Sequence, residues 1–378
     1  MKILVIPAND YLHNPTIARQ QYIYEELAKT HEVHVMHFHI NKGMDLSTNT
    51  IIHNATMFPF TNQALHYVFN APYHYYAIKR VIIKHKIDII FTSNVLASSA
   101  AISVAKSRNI PVIFDLNNWL PESAIMHIKN VHIQNLIRNT VERITNNNLK
   151  ESDLTIVPST SLKNKLVKME VPTQLITNGV DTNLFTYRSD RSARHLLGLS
   201  ENEFCIGFIG DLGKWGCLAD HIRNLPELLA YNPDIKIVVL GELTDPLYKT
   251  KIITLCHDLG VFKNIIFTGE IPYPELPEFI SSMDACTVLA SPEEIIDHTV
   301  PVSYYECCAC NIPTLMESMQ VNLNIKGTNV SLYNDTNEYI SQIKYLAETH
   351  HNPHIDVSEH SWSNKAKQYE KFALALIQ

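Results

Sequence analysis

The sequence predicts an α/β protein built from two Rossmann-like domains, and three observations carry that prediction. Strand-sized apolar runs alternate with helix-period segments from one end of the chain to the other, the pattern of parallel sheets covered by helices. At 378 residues the chain is too long for one ordinary core and about right for two. Near its middle, Leu175-Ile176-Thr177-Asn178-Gly179-Val180-Asp181-Thr182-Asn183-Leu184-Phe185 reads as a short strand, a tight left-handed turn at Asn178-Gly179 and an exit anchored by Phe185. That is a hinge between two such domains, although a plain strand-to-loop turn would need only the Asn-Gly.

In the first half the expected strands are Lys2–Ile6, Glu32–Phe38, Ile51–Ala55, Ile87–Thr92, Val112–Leu116, Leu154–Val157 and Gln174–Ile176. Helical stretches such as Ile17–Lys29, Ala97–Arg108 and Leu136–Lys150 lie between them. The second half repeats the scheme with Cys205–Ile209, Lys236–Leu240, Ile265–Thr268, Ala285–Leu289 and Pro313–Met316. The polar run Tyr187–Arg194, just past the hinge, has linker or capping chemistry rather than core chemistry. The last segment is an amphipathic helix whose apolar stripe is Trp362, Ala366, Tyr369, Phe372, Ala373 and Leu376.

Composition excludes several classes. With 31 basic against 38 acidic residues, a net charge of −7 offers no global attraction to phosphate polymers, which argues against nucleic acid as a partner. A local basic patch for an anionic lipid stays open, and with it a peripheral contact with a membrane surface. The N-terminal apolar run is too short for a signal peptide, and no run of about 18 apolar residues exists to span a membrane. Seven Cys, all in the second half, do not suggest a secreted disulfide framework, so reduced, cytoplasmic residence is expected.

Three segments carry chemistry. The first is His298-Thr299-Val300-Pro301-Val302-Ser303-Tyr304-Tyr305-Glu306, continuing to Asn311-Ile312-Pro313. Pro301 suits the first helical position, so a helix starts there with unpaired N–H groups and a dipole that bind diphosphate. Glu306 lies three residues after Ser303, one turn deeper on the same face, where a carboxylate can accept hydrogen bonds from a ribose diol. A plain amphipathic helix with one exposed Glu would read the same way.

The second is Gly207-Phe208-Ile209-Gly210-Asp211-Leu212-Gly213-Lys214-Trp215-Gly216, a strand running into glycines at three-residue spacing. Glycine lets backbone approach a phosphate, and Lys214 can bring charge to a leaving pyrophosphate. It is neither a Walker A loop nor the dinucleotide fingerprint, and a purely structural glycine turn is the alternative. The third is Asp115-Leu116-Asn117-Asn118-Trp119-Leu120-Pro121-Glu122-Ser123-Ala124, which leaves a strand where an α/β sheet places its ligands.

These segments together resemble the retaining glycosyltransferases of the GT-B fold, family 4 (glycosyltransferase group 1) type, as a divergent member. The hinge resembles the Asn-Gly-Val-Asp-x-x-x-Phe junction of that family, and the resemblance covers nearly the whole chain. In the donor motif Glu306 matches the second of two acids, while His298 stands in place of the first, eight positions earlier. Asn311 replaces the glycine of the closing Gly-x-Pro. Asp211 replaces an arginine in a loop one residue shorter, and Asn117 and Asn118 replace an Arg-Asp pair; amides there can bind a sugar but cannot act as acid or base. The opening loop Asn9–Thr16 lacks the usual Gly-Gly pair, and a loop that merely caps a helix is the alternative.

The resemblance implies two Rossmann-like domains facing each other across a cleft: an acceptor-binding domain over 1–179, a nucleotide-sugar-binding domain over 180–360 and a helix over 361–378 crossing back to the first. It implies transfer of a sugar from a nucleotide diphosphate sugar to a hydroxyl acceptor, a glycan, glycolipid or small molecule, with retention. Lys214, Asn117, Asn118 and His298 would be catalytic. Gly210, Asp211, Gly213, Lys214, Val302, Ser303 and Glu306 would bind donor, and neither cofactor nor metal is expected. No Asp-x-Asp occurs, and Cys307 and Cys310 sit in a predicted helix, which argues against zinc. Among the 19 His, His37 and His39 share a strand face while His350, His351 and His354 cluster near the C-terminus; without acidic or Cys partners at ligand spacing they read as surface or cleft histidines. A sugar-nucleotide epimerase or hydrolase on the same fold, and a non-catalytic partner subunit, remain as alternatives.

Overall fold

The computed structural model describes residues 1–13, 19–43, 46–125, 128, 130–213, 217–291, 294, 297–318, 326–327, 330–349 and 355–378, with the side chains of 326, 327 and 330 left aside. The chain forms two compact units: Met1–Thr177 together with Trp362–Gln378, and Asn178–Ser361.

Unit 1 contains β1 (Lys2–Ile6), β2 (Glu32–His37), β3 (Ile51–Asn54), β4 (Ile89–Thr92), β5 (Val112–Asp115), β6 (Leu154–Val157) and β7 (Thr173–Leu175). They form one parallel sheet in the order β3-β2-β1-β4-β5-β6-β7. Buried on both faces, the central strands read in sequence as continuous apolar runs. The helices of this half are α1 (Arg19–Ala28), α2 (Gln63–His85), α3 (Leu96–Lys106), α4 (Leu120–Ser123), α5 (Val131–Glu151) and α6 (Thr160–Lys168). Side chains at the N-caps set several starts: Asn62 accepts from the Leu65 N–H, Asn130 from His132 and Ile133, and Ser159 from Leu162.

Unit 2 contains α7 (Ala193–Leu196), β8 (Phe204–Gly210), α8 (Leu218–Tyr231), β9 (Ile235–Val239), α9 (Pro246–Asp258), β10 (Ile265–Phe267), α10 (Leu276–Ser281), β11 (Ala285–Leu289), α11 (Val302–Ala309), β12 (Thr314–Glu317), β13 (Lys326–Gly327), β14 (Val330–Tyr333), α12 (Thr336–Thr349) and β15 (Ile355–Asp356). Its parallel sheet runs β10-β9-β8-β11-β12-β14, with β13 and β15 paired apart as an antiparallel ribbon. One face of the sheet buries Ile206, Phe208 and Ile237 against α8 and α9; the other buries Cys205, Ile209 and Val288 against α11. Strand order reverses between β8 and β11, the switch point where open α/β sheets take ligands.

The final helix, α13 (Trp362–Ile377), packs in unit 1. Trp362 stacks on Tyr22 at 5.2 Å between ring centroids, and the Tyr369 hydroxyl, buried, donates to Asp115 at 2.8 Å while accepting from the Arg19 guanidinium at 2.9 Å. The helix is therefore seated by polar bonds as well as by its apolar stripe.

Three expectations need correction. The Asn178-Gly179 turn is not left-handed: the described residues with positive φ do not include either one. Instead Val180 forms an isolated parallel bridge with Ser361, the Val180 N–H donates to the His360 carbonyl, and the Asn178 amide donates to the Val300 carbonyl at 2.9 Å. The Tyr187–Arg194 run is not surface linker throughout. Arg194 is fully buried, donating to the carbonyls of Ser200, Glu203 and Ser282 and to the Asp284 carboxylate at 3.2 Å. Strand β14 was not expected; four residues at a sheet edge, next to Asn334 and Asp335, carry too short an apolar signal.

Candidate active site

In unit 2 the register pairs Gly210 with Leu289, so the loop after β8 and the segment after β11 leave the sheet side by side. Gly210 has φ +112°, and a Cβ there would meet the Leu289 carbonyl oxygen at 2.1 Å; only glycine fits. The Asp211 N–H donates to that same carbonyl at 2.9 Å, and the Asp211 carboxylate accepts the Gly213 N–H at 2.7 Å. Both of these backbone donors are thus held by protein acceptors, so the loop is a self-capped turn at the edge of the site. Lys214 lies outside the described residues.

Across the switch point, α11 begins at Val302 with Pro301 as its N-cap, one place later than a start with Pro301 at the first helical position. Val302 and Ser303 are half-exposed, and as the first two helical residues their N–H groups have no acceptor within the helix. His298, half-buried with φ +50°, precedes them in a left-handed bend. At the other end of α11, Asn311 takes φ +58°, and its side chain accepts the Ile355 N–H at 3.0 Å. Asparagine tolerates the left-handed closing position that otherwise favours glycine, which explains its place there.

Glu306 departs from expectation. It is buried, and its Oε1 accepts the Tyr273 hydroxyl at 2.5 Å, so it is neither an exposed helix carboxylate nor one that waits for ligand to find a partner. Burial pushes its carboxyl up to about 7, against the pull of the Tyr273 hydroxyl. Tyr273 in turn packs edge-on against Phe185, the buried anchor of the hinge segment, at 5.4 Å. Sequence reasoning missed Tyr273 because nothing along the chain ties the segment after β10 to α11.

The cysteines of α11 are structural. Cys307, Cys308 and Cys310 are free and buried, and burial pushes the Cys308 thiol up to about 12.

In unit 1, Asp115 ends β5 fully buried, with Tyr369 on one oxygen and Gln20 at 3.4 Å on the other. Burial pushes its carboxyl up against the opposing Arg19, Tyr369 and Gln20. It is a structural anchor for α1 and α13. Asn117 and Asn118, just beyond, are half-buried, and the Asn117 Oδ1 is buried with no hydrogen-bond partner among the described residues. Lys165 sits 3.4 Å above the ring of buried Trp119.

The family model for Glycosyltransferase Family 4 matches residues 21–184, and that for Glycosyl transferases group 1 matches residues 190–369. The chain belongs to the family 4, group 1 glycosyltransferases. Its fold is shared with solved GT-B structures at low identity. Sucrose-phosphate synthase from Thermosynechococcus elongatus is 18% identical, with 99% of this chain and 98% of that one covered and a TM-score of 0.72. HepE from Anabaena, in complex with UDP, is 18% identical over 100% and 98%, with a TM-score of 0.68. WaaG, a glycosyltransferase involved in lipopolysaccharide biosynthesis, is 14% identical over 100% and 99%, with a TM-score of 0.62. No curated protein sequence matches significantly. Among the described residues of this glycosyltransferase no helix is long and apolar enough to cross a membrane.

Proposed function

We propose that this glycosyltransferase moves a sugar from a nucleoside diphosphate sugar to a hydroxyl of a glycan or lipid-linked acceptor, with retention, on the cytoplasmic side. The observation that carries the donor reading is the start of α11 after β11, the strand paired with β8 at the switch point of unit 2, with Val302 and Ser303 as the first helical residues and their N–H groups without an acceptor in the helix. Helix N–H groups and dipole suit a diphosphate, and Glu306 one turn inside suits the ribose hydroxyls through its second carboxylate oxygen.

Lys214 is assigned the charge on the leaving diphosphate. Together with the helix it stabilises the departing group electrostatically, so no protein nucleophile is required. His298 faces the transferred sugar in this reading, and Asn117 and Asn118 hold the sugar or acceptor by hydrogen bonds. HepE, whose structures hold UDP and UDP-glucose, makes uridine donors the first to test. WaaG, a glycosyltransferase involved in lipopolysaccharide biosynthesis, makes lipopolysaccharide-type acceptors the first to test. No divalent metal is needed for donor binding, because the donor set consists of backbone N–H groups and one lysine.

Melting temperature in the presence of UDP and UDP-sugars, with and without chelator, tests this reading. A rise that persists in chelator supports it; no rise with any nucleoside diphosphate, or a rise that chelator abolishes, contradicts it. Nucleotide binding without turnover alone, restored by a second transferase, would identify a partner subunit, a role that the buried Asp115 and the amides at 117 and 118 would suit.

A further inference from the structure

Unit 1 holds a group of side chains that the donor reading does not use. Asp10 and His13 lie in the loop after β1, His37 ends β2 and His39 follows it. Because β1 and β2 are parallel neighbours, these residues meet at the carboxyl edge of the sheet. Each offers a ligand atom, and the four atoms lie within 4.8 Å of one another. The imidazoles are mutual neighbours, with ring centroids 5.3 Å apart for His13 and His37, 5.1 Å for His13 and His39, and 5.7 Å for His37 and His39.

Asp10 holds this arrangement together. Its Oδ1 accepts the N–H groups of Leu12 and His13, and its Oδ2 those of Ile40 and Asn41, at 3.0 to 3.2 Å. The carboxylate therefore ties the loop carrying His13 to the segment carrying His37 and His39. It also hydrogen-bonds the His13 Nδ1 at 3.4 Å, as an outer carboxylate orients a ligand imidazole, and stands 3.4 Å from the His37 Nδ1 as a counter-charge. With backbone N–H groups on both of its oxygens, Asp10 is a positioning residue with a negative charge.

We propose that His13, His37 and His39 bind a divalent transition metal of the zinc class, oriented and charge-balanced by Asp10, with water in the remaining position. Imidazole is the ligand that suits zinc, and a set of three leaves a fourth tetrahedral position open. The second histidine cluster of unit 1, His34, His53 and His85, does not qualify. The His34 ring nitrogens are already engaged, one with His53 and one with Glu32, each at 2.8 Å.

The inference is independent of the donor reading, and its test uses the full chain, stripped with chelator and titrated with Zn²⁺ or Co²⁺. The expected result is saturable binding of a single ion, with cobalt ligand-field absorption and no thiolate charge-transfer band, since the buried cysteines take no part. His39 is exposed, so His39→Ala leaves the fold intact; it should lower zinc affinity by about 100-fold or more, beyond the usual loss from an outer partner. His53→Ala should bind as the parent does. Zinc should raise the melting temperature of the parent and not that of His39→Ala. Absence of saturable binding, a thiolate band, or binding that survives His39→Ala would overturn the proposal.

Discussion

The Tyr273 hydroxyl donates to the Glu306 carboxylate at 2.5 Å, and this bond joins the segment after β10 to the helix that is the proposed diphosphate site. Because Tyr273 also packs on Phe185, the helix, the hinge anchor and the carboxylate form one contiguous unit inside the C-terminal core. A carboxylate held this way is oriented before any ligand arrives.

The burial of Glu306 gives a pH dependence of fixed sign. Burial raises its carboxyl from 4.5 to about 7, so between those values the folded state holds more protons than the unfolded chain. Its contribution to stability is complete below about 4.5 and is lost as pH rises through about 7. Glu306→Gln keeps an acceptor for Tyr273 and has no charge to desolvate. It should melt close to the parent at about pH 5 and above it at about pH 8. Calorimetric melts across that range check this, and a pH-independent difference would contradict it.

The ion pair of fully buried Arg194 with half-buried Asp284 should contribute strongly to the stability of unit 2. Asp284 also accepts from Arg191 and from the Cys205 N–H, so its removal leaves a fully buried guanidinium without its counter-charge. Asp284→Ala is expected to lower stability by about 3–5 kcal/mol. Chemical denaturation read from a unit 2 probe measures it, and a loss under about 1 kcal/mol would show that the carbonyl partners of Arg194 suffice.

Tyr369→Phe removes the hydroxyl that joins Arg19 to Asp115 while keeping the ring. A hydrogen bond to a charged group contributes about 1.5–3 kcal/mol, so unit 1 should lose roughly that much and α13 should exchange its amide hydrogens faster. Unchanged exchange in α13 would mean that the stacking of Trp362 on Tyr22 seats the helix without help.

Gly210→Ala should destabilise unit 2 by more than about 1 kcal/mol, because a backbone carbonyl, not a movable side chain, occupies the place of the new methyl. Comparison of denaturation midpoints checks this; a neutral effect would mean that the turn between β8 and β11 opens freely.

Much of this was legible in the sequence because buried parallel strands are continuous apolar runs. Lys2–Ile6, Leu154–Val157 and Ala285–Leu289 occur at the expected bounds. The start of α11 was legible within one residue from Pro301, and Phe185 was legible as an anchor from its place after a polar turn. What escaped depends on contacts across the chain. Arg194 reads as linker chemistry because its counter-charge, Asp284, is distant in sequence, and Glu306 reads without a protein partner because Tyr273 comes from another element. His37 and His39 read as lacking an acidic partner because Asp10 reaches them only through the pairing of β1 with β2. Lys214, His350, His351 and His354 lie outside the described residues.

The central claim is that α11 holds the nucleoside diphosphate, with Glu306 on the ribose. Calorimetric titration of UDP into the parent and into Glu306→Gln at about pH 8, where the carboxylate is ionised, tests it most directly. A charge-assisted hydrogen bond contributes about 1.5–3 kcal/mol, so the variant should bind roughly tenfold to a hundredfold more weakly while its melting temperature stays at or above that of the parent. Parent-like UDP affinity in a folded Glu306→Gln would contradict the assignment and leave the Tyr273–Glu306 pair a structural bond.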